Sequence, residues 1–324
     1  MNCNKIQKKL RLNFPFQPTS QQDQIINDIS EFVTTIGNRS IFMLKGYAGT
    51  GKTTLVSSLV KSLPVIGKRS VLIAPTGRAA KVLSKYSKKF ASTIHKKIYW
   101  IRTNKSGNTF IKLKENLHTN TIFIVDEASM ISEASDSGFG NRSLLQDLIK
   151  YVYEGIDCKL ILIGDKAQLP PVNLDISPAL NEEILFLNYN KKVISKELTE
   201  VVRQKKDSLI LENATRIRKK ISVNDYSYPK FLTNSEVVKI NTGEDLQEAL
   251  ECAYSNEGLN NTTILCRSNK RANQYNQQVR IKIRWQENEI SSGDKLMIVR
   301  NNYFWLDENS NAGLIANGDI VEVI

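Results

Sequence analysis

Hydrophobic positions along the chain fall into two alternating patterns. Short continuous apolar runs occur at Ser40–Leu44, Ser70–Ala74, Thr121–Val125, Lys159–Ile163 and Thr262–Cys266, each bounded by turn or helix signals. Runs of this kind predict strands buried on both faces of a parallel sheet. Between them, helical spacing predicts helices over Lys52–Leu63, Gly77–Lys88, Arg142–Glu154, Gln204–Ile221 and Asn269–Arg284. Strand–helix alternation implies an α/β fold built on a parallel sheet. Polar residues follow the strands at Lys45-Gly46, Pro75-Thr76, Asp126-Glu127 and Gly164-Asp165. Ligands of open α/β sheets bind at the carboxyl ends of strands, so these junctions should converge on one site.

Two segments interrupt the alternation. Ile98–Leu113 reads as a hairpin turning at 104–108, and Ser132–Asn141 as a small polar loop. A domain boundary is expected near Pro178–Asn190. Beyond Trp285 short strands are expected at Lys295–Val299 and Asp319–Ile324. The chain stops inside the second of these, which suggests the amino-terminal portion of a longer protein.

Composition changes this picture little: 324 residues, 41% hydrophobic and 24% charged, exclude a collagen-like or wholly disordered chain. The four cysteines form no C-x-x-C pair, and two histidines provide no zinc-ligand spacing, so reduced cysteines in a cytoplasmic protein are expected. No apolar run approaches the ~18 residues of a membrane span. The basic start, MNCNKIQKKLRLNF, lacks the apolar core of a secretory signal and reads as a solvated, frayed terminus.

Charge is more informative. The chain carries 45 Lys+Arg against 33 Asp+Glu, a net +12. Phe32–Lys114 holds 17 Lys/Arg and no acid, leaving the remainder with 28 basic and 33 acidic side chains. One stretch therefore carries more than the whole excess, and a polyanionic partner is expected.

The strongest motif lies within it. Gly46-Tyr-Ala48-Gly49-Thr50-Gly51-Lys52-Thr53, followed by Thr54, fits G-x-x-x-x-G-K-[ST] between a strand and a helix. Its glycines let backbone N–H groups close around phosphates at a helix N-terminus; Lys52 reaches the β/γ-phosphates and Thr53 is a magnesium ligand. A plain glycine-rich turn with an exposed lysine is the bland alternative. Asp126-Glu127 after a buried strand supplies one carboxylate for magnesium and a second to activate water. An acidic helix cap would look the same in isolation.

The motifs Gly46–Thr54, Ala74-Pro75-Thr76-Gly77-Arg78-Ala79-Ala80, Ser92-Thr93-Ile94-His95, Asp126-Glu127-Ala128-Ser129, Gly164–Gln168 and Leu198–Gln204 occur in order. Together they resemble the superfamily 1 DNA helicases of the RecD/Dda type, from Thr19 to about Ser268. The resemblance implies a P-loop NTPase fold: a RecA-like domain over 1–185 with a pin hairpin at about 96–120, the first part of a second RecA-like domain over 186–285, and the start of an SH3-like insertion over 286–324. It implies ATP and Mg²⁺ as cofactors. Gln168 becomes the γ-phosphate sensor and Arg203 an arginine finger, against the plain readings of a loop amide and a surface arginine. Gln22, in Thr19-x-x-Gln22, becomes an adenine reader, although the same spacing is a capping box.

For nucleic acid, the resemblance points to Pro75, Thr76 and Arg78, and to Thr93 and His95, with a structural histidine as the alternative. Tyr99, Trp100 and Phe110 on the hairpin could stack on bases, or fill a small hairpin core. The implied function is ATP-driven 5′-to-3′ movement on single-stranded DNA and unwinding at single-strand/duplex junctions by a monomer, in repair or recombination. A nucleotide- and strand-binding module with little turnover, and more remotely a P-loop kinase, are the alternatives.

Overall fold

The computed structural model describes residues 2–37, 40–103, 109–133, 143–171, 173–202, 208–299 and 318–324, with backbone alone at 101–103 and 109–110. It divides into two compact units, Met1–Lys205 with Ile298–Asp319, and Lys206–Met297 with Ile320–Ile324.

In chain order the first unit contains α1 (Asn2–Asn13), α2 (Ser20–Thr34), β1 (Ser40–Gly46), α3 (Lys52–Ser62), β2 (Arg69–Ala74), α4 (Gly77–Ser87), β3 (Ala91–Thr93), α5 (Ile94–Ile98), β4 (Tyr99–Thr103), β5 (Thr109–Leu113), β6 (Thr121–Val125), α6 (Leu144–Glu154), β7 (Lys159–Gly164), α7 (Glu182–Tyr189) and β8 (Lys192–Leu198). Six strands form one sheet in the order β3-β2-β6-β7-β1-β8, every pair parallel.

Side-chain alternation covers this sheet on both faces. Phe42, Leu44, Ile122, Ile124, Ile161 and Ile163 join one buried cluster with α1 to α4. Their neighbours Ile41, Met43, Phe123, Val125, Leu160 and Leu162 join another with α5, α6 and α7. Successive residues of a strand point to opposite faces, so a strand needing both faces apolar reads as an unbroken apolar run.

Three expectations are corrected. The amino terminus is the ordered helix α1: Ile6 and Leu10 are fully buried. Each such side chain contributes about 1.5–3 kcal/mol on burial. Arg11 grips Asp23 of α2 through two hydrogen bonds of 2.7 and 3.0 Å, and that contact holds the Asp23 carboxyl below its usual range. The domain boundary lies after position 185, because β8 pairs with β1 over Ser40–Gly46 and keeps the chain in the first unit to Lys205. Finally, Thr262–Cys266 is not a strand; Leu265 is 92% exposed and no neighbouring strand takes up its backbone groups among the described residues.

The second unit contains α8 (Leu209–Ser222), α9 (Gly243–Asn256), α10 (Asn269–Gln278) with a π turn to Ile283, and an antiparallel pair, β9 (Lys295–Met297) and β10 (Ile320–Glu322). The parallel sheet expected there is not among its described residues. Across the described residues no helix is long and apolar enough to cross a membrane.

One buried cation ties the sheet to α2. Lys159 opens β7 with 1% exposure; its Nζ donates to the Phe32 carbonyl at 2.6 Å and to the Thr35 carbonyl, and lies 4.9 Å from the Phe32 ring centroid. It thereby serves carbonyls at a helix end that lack helical partners. Burial lowers its pKa from 10.5 to about 8. Below pH 8 folded and unfolded chains both hold the proton, and the cost of burying the charge is full. Between about pH 8 and 10.5 the folded chain sheds it first, so stability rises with pH. Lys159→Met should cost about 1–3 kcal/mol at neutral pH by orphaning the carbonyls. The gap to wild type in denaturant midpoint should widen across that window, and a gap independent of pH would contradict this account of Lys159.

Candidate nucleotide site

Strands β1, β7 and β6 lie side by side and deliver their chemistry at their carboxyl ends. From β1 the chain turns through the glycine-rich loop into α3. Gly51 is the N-cap at φ +94°, and a Cβ there would sit 2.5 Å from Gln22 Nε2. Only glycine meets both demands. Lys52 begins α3, and its Nζ donates to the carbonyls of Gly46 (2.5 Å) and Tyr47 (2.8 Å). Across the loop, Val202 N–H donates to the Gly49 carbonyl at 3.0 Å.

Gln22 satisfies the capping expectation. Thr19 and Gln22 form a complete capping box, and Gln22 Oε1 accepts from Thr19 N–H at 3.0 Å. Its Nε2 also donates to the Thr50 carbonyl at 3.0 Å, so this buried amide braces the phosphate loop from α2.

Asp126 and Glu127 follow β6. Asp126 N–H donates to the Ile73 carbonyl at 3.1 Å, tying the turn to β2. Asp126 Oδ1 accepts from Glu127 N–H at 3.0 Å, while Oδ2 accepts from the Tyr86 hydroxyl of α4. Glu127 adopts a left-handed backbone, φ 54° and ψ 38°. That conformation is uncommon for a non-glycine residue and is maintained only where surroundings dictate it. Burial, then the Asp126 charge, push the Glu127 carboxyl up; Gln168 and Lys52 act against them.

Gln168 acts on this carboxylate from the loop after β7. Ser129 Oγ donates to Gln168 Oε1 at 3.1 Å, and the Gln168 amide favours the charged form of Glu127. Asp165, 5% exposed, shapes that loop by accepting from Ala167 N–H at 2.8 Å. Since β7 separates β1 from β6, its loop places Gln168 between the lysine and the acidic pair.

The structure thus brings Gln22, Gly46 to Thr54, Asp126, Glu127 and Gln168 to one edge of the sheet. Arg203 lies outside the described residues. The expectation missed Tyr86 and Ser129. Tyr86 follows Leu83 by three residues on the packed side of α4, so its ring reads as ordinary core; only its hydroxyl is functional in kind. A hydroxyl from Thr53 and a carboxylate from Asp126 are hard oxygen donors, suited to Mg²⁺ completed by phosphate oxygens and water.

The nucleic-acid candidates separate. Pro75 and Thr76 are half-buried and Arg78 is exposed at the start of α4; Thr76 caps that helix by accepting from Ala79 N–H at 3.2 Å. Thr93 is buried and caps α5 in the same way, and His95 lies 5.9 Å from Tyr99, ring to ring. Strands β4 and β5 pair as the expected hairpin, with Tyr99 opposite Leu113 and Trp100 opposite Lys112. Strand alternation sends these two aromatics opposite ways. Tyr99 is 4% exposed and donates to Asp147 Oδ2 at 2.8 Å, so of the two readings of this residue its ring takes the core-filling one and is not a stacking surface. Trp100 is 61% exposed, with Lys114 Nζ 4.8 Å from its ring centroid. The Phe110 side chain lies outside the described residues.

A parallel sheet covered on both faces, with a phosphate loop, an acidic strand end and a polar loop between them, defines a P-loop nucleotide-binding protein. The profile of a family described as an AAA domain matches residues 21–222. The chain belongs to that family. It is 33% identical over 179 residues to the ATP-dependent DNA helicase dda of Enterobacteria phage T4, covering 54% of this chain and 37% of that protein. It is 28% identical over 197 residues to the ATP-dependent RecD2 DNA helicase of Deinococcus radiodurans, covering 61% and 24%. The chain therefore spans well under half the length of these curated relatives. Among solved structures, a Bacteroides Pif1 helicase in complex with ADP-AlF3 and ssDNA aligns with 18% identity and a TM-score of 0.43, over 91% of this chain and 61% of that one.

The raised Glu127 carboxyl has a consequence for stability. A folded-state pKa above the unfolded value means the folded chain binds the extra proton, so stability falls as pH rises through the window between them. At neutral pH the charge is held at a cost. Glu127→Gln should raise Tm at pH 7 in chelator without nucleotide, and should leave Tm unchanged at pH below 4. A lower Tm at pH 7 would contradict the strained, desolvated state assigned to Glu127.

Proposed function

We propose that the chain is the ATP-hydrolysing part of a DNA helicase that moves 5′ to 3′ along single-stranded DNA. The observation carrying this is the phosphate loop at the end of β1 with Asp126 and the desolvated Glu127 at the end of β6, and Gln168, held by Ser129, on the loop of the strand between them. Glu127, desolvated and raised, is suited to take a proton from an attacking water. Gln168 acts on that carboxylate from a separate loop, so a change at the γ-phosphate would reach the strand ends through it. Lys52 would exchange its loop carbonyls for β/γ-phosphate oxygens, and the N–H groups from Ala48 to Thr54 would surround the phosphates. Mg²⁺, held by Thr53, Asp126 and phosphate oxygens, supplies charge neutralisation at the transferred group.

Gln22, already joined to the loop, retains an amide hydrogen for an adenine acceptor. Arg203 is assigned as the arginine finger by the motif alone. Pro75, Thr76 and Arg78, with Thr93 and His95, would track a phosphodiester backbone beside the nucleotide, and Trp100 would meet bases. The direction of movement rests on the RecD/Dda resemblance.

Single-turnover unwinding of a 5′-tailed duplex tests the proposal. Glu127→Gln should cut ATP turnover by about 10²–10⁴-fold, the usual contribution of a general base. Equilibrium binding of a fluorescent ATP analogue should persist. In the wild type, the acid limb of the turnover profile should lie above pH 4.5, because only the ionised carboxylate accepts a proton. Turnover that survives the substitution removes Glu127 from the mechanism. Intact binding without wild-type turnover would instead mark a nucleotide- and strand-binding module.

A further inference from the structure

The acid-free stretch does not place all its charge at the nucleotide end. Because β2 and β6 are parallel, Ala74 and Val125 finish at the site, while Arg69 and Thr121 start at the opposite edge. The 11-residue α4 carries the chain from one edge to the other, about 16 Å. Lys88 and Lys89 follow it there.

At this far edge lies an open depression of about 420 Å³, whose lining includes Lys68, Arg69, Ser70, Lys89 and His118 and no acid among the described residues. Asp157 is engaged by Lys68 at 2.5 Å. Lys89 Nζ is held at the rim by Ser70 Oγ at 2.7 Å. Lys97 Nζ lies 2.8 Å from His118 Nε2; the ammonium donates, so His118 accepts there as the neutral ring. From Lys97 the cations continue to the hairpin. Lys114 donates to the Lys96 carbonyl at 2.8 Å and sits over the exposed Trp100.

These groups oppose one another. Burial lowers the pKa of Lys89, Lys97 and Lys114, and Lys97 and Lys96 lower Lys114 further; burial, Lys97 and Arg69 lower His118. Clustered like charge costs stability in the free protein and is relieved by an anion. A single phosphate would need only the depression. A strip that runs from it to an exposed indole suits a chain of phosphates with bases attached.

We propose that this strip, from Trp100 and Lys114 through Lys97 and His118 to Arg69 and Lys89, is a second binding surface for a nucleic-acid phosphodiester backbone. It is separate from the strand-end residues Thr76 and Arg78. It shares only Trp100 with the proposed function and stands independently of turnover by Glu127.

The test uses the full chain without nucleotide. Anisotropy of labelled single strand, blunt duplex and 5′-tailed duplex is followed between roughly 50 and 200 mM salt. Arg69 and Lys89 are exposed, so Arg69→Ala/Lys89→Ala should fold, and unchanged binding of a fluorescent ATP analogue verifies it. The double variant should weaken at least one nucleic-acid form about tenfold at low salt. It should also flatten the plot of log K against log salt by about 1.4–1.8, the loss of two phosphate contacts. Arg78→Ala should add its own loss on top. Unchanged affinity and slope for all three nucleic acids would overturn the proposal. So would a variant that loses only inorganic phosphate, measured by calorimetry, or only polyglutamate, since the depression would then serve a free anion or an acidic protein.

Discussion

Burial of a parallel sheet on both faces is the constraint from which the rest of the first unit follows. Strands such as Thr121–Val125, buried at every position, have no room for a polar side chain anywhere but at their ends. Lys159, the first residue of β7, shows what even a strand end demands: a buried cation is retained there because two carbonyls of the α2 terminus and an aromatic ring receive it. Polar chemistry is therefore confined to two edges, and each helix that covers the sheet also connects them.

At the carboxyl edge this confinement concentrates opposing charges. Lys52 stands over loop carbonyls, Asp126 is held from two sides by Tyr86 and by the backbone of Glu127, and Glu127 sits in a left-handed turn against Gln168. Such an arrangement is costly without a ligand. Desolvated carboxylates beside a cluster of N–H donors are stabilised once phosphate and a divalent cation complete the set, which is how a nucleotide site exchanges folding stability for function. Tyr86 gives this edge a mechanical link, since its backbone carbonyl accepts from Ser57 of α3 while its hydroxyl holds Asp126. The nucleotide loop helix, the α4 helix and the acidic strand end thus meet at one residue.

The depression at the amino edge has the reverse character, lined by cations and no acid among the described residues. The same helix α4 separates Thr76 from Lys89, so one run of sequence supplies both edges. An excess of charge that forms a single stretch along the chain is, in space, divided between two edges of the sheet.

What the sequence determined by itself was local and periodic. Four of five apolar runs are strands within two residues of the expected ends, the hairpin pairs Tyr99 with Leu113, and the phosphate loop joins a strand to a helix. These depend on side-chain alternation, glycine geometry and helix capping, which neighbours in sequence dictate. Tertiary structure decided the rest. Whether Lys192–Leu198 belongs with the first sheet depended on an open edge beside β1, and whether Thr262–Cys266 became a strand depended on a partner. Tyr99 and Trp100 are adjacent and chemically alike, yet one is core and the other exposed, because the hairpin presents one face to α6. Ser129 and Tyr86 gained their roles only when distant segments met at Gln168 and Asp126. A spacing rule reads contacts a few residues apart; a hydrogen bond across 40 residues, such as Tyr86 to Asp126, exists only once packing has brought its partners together.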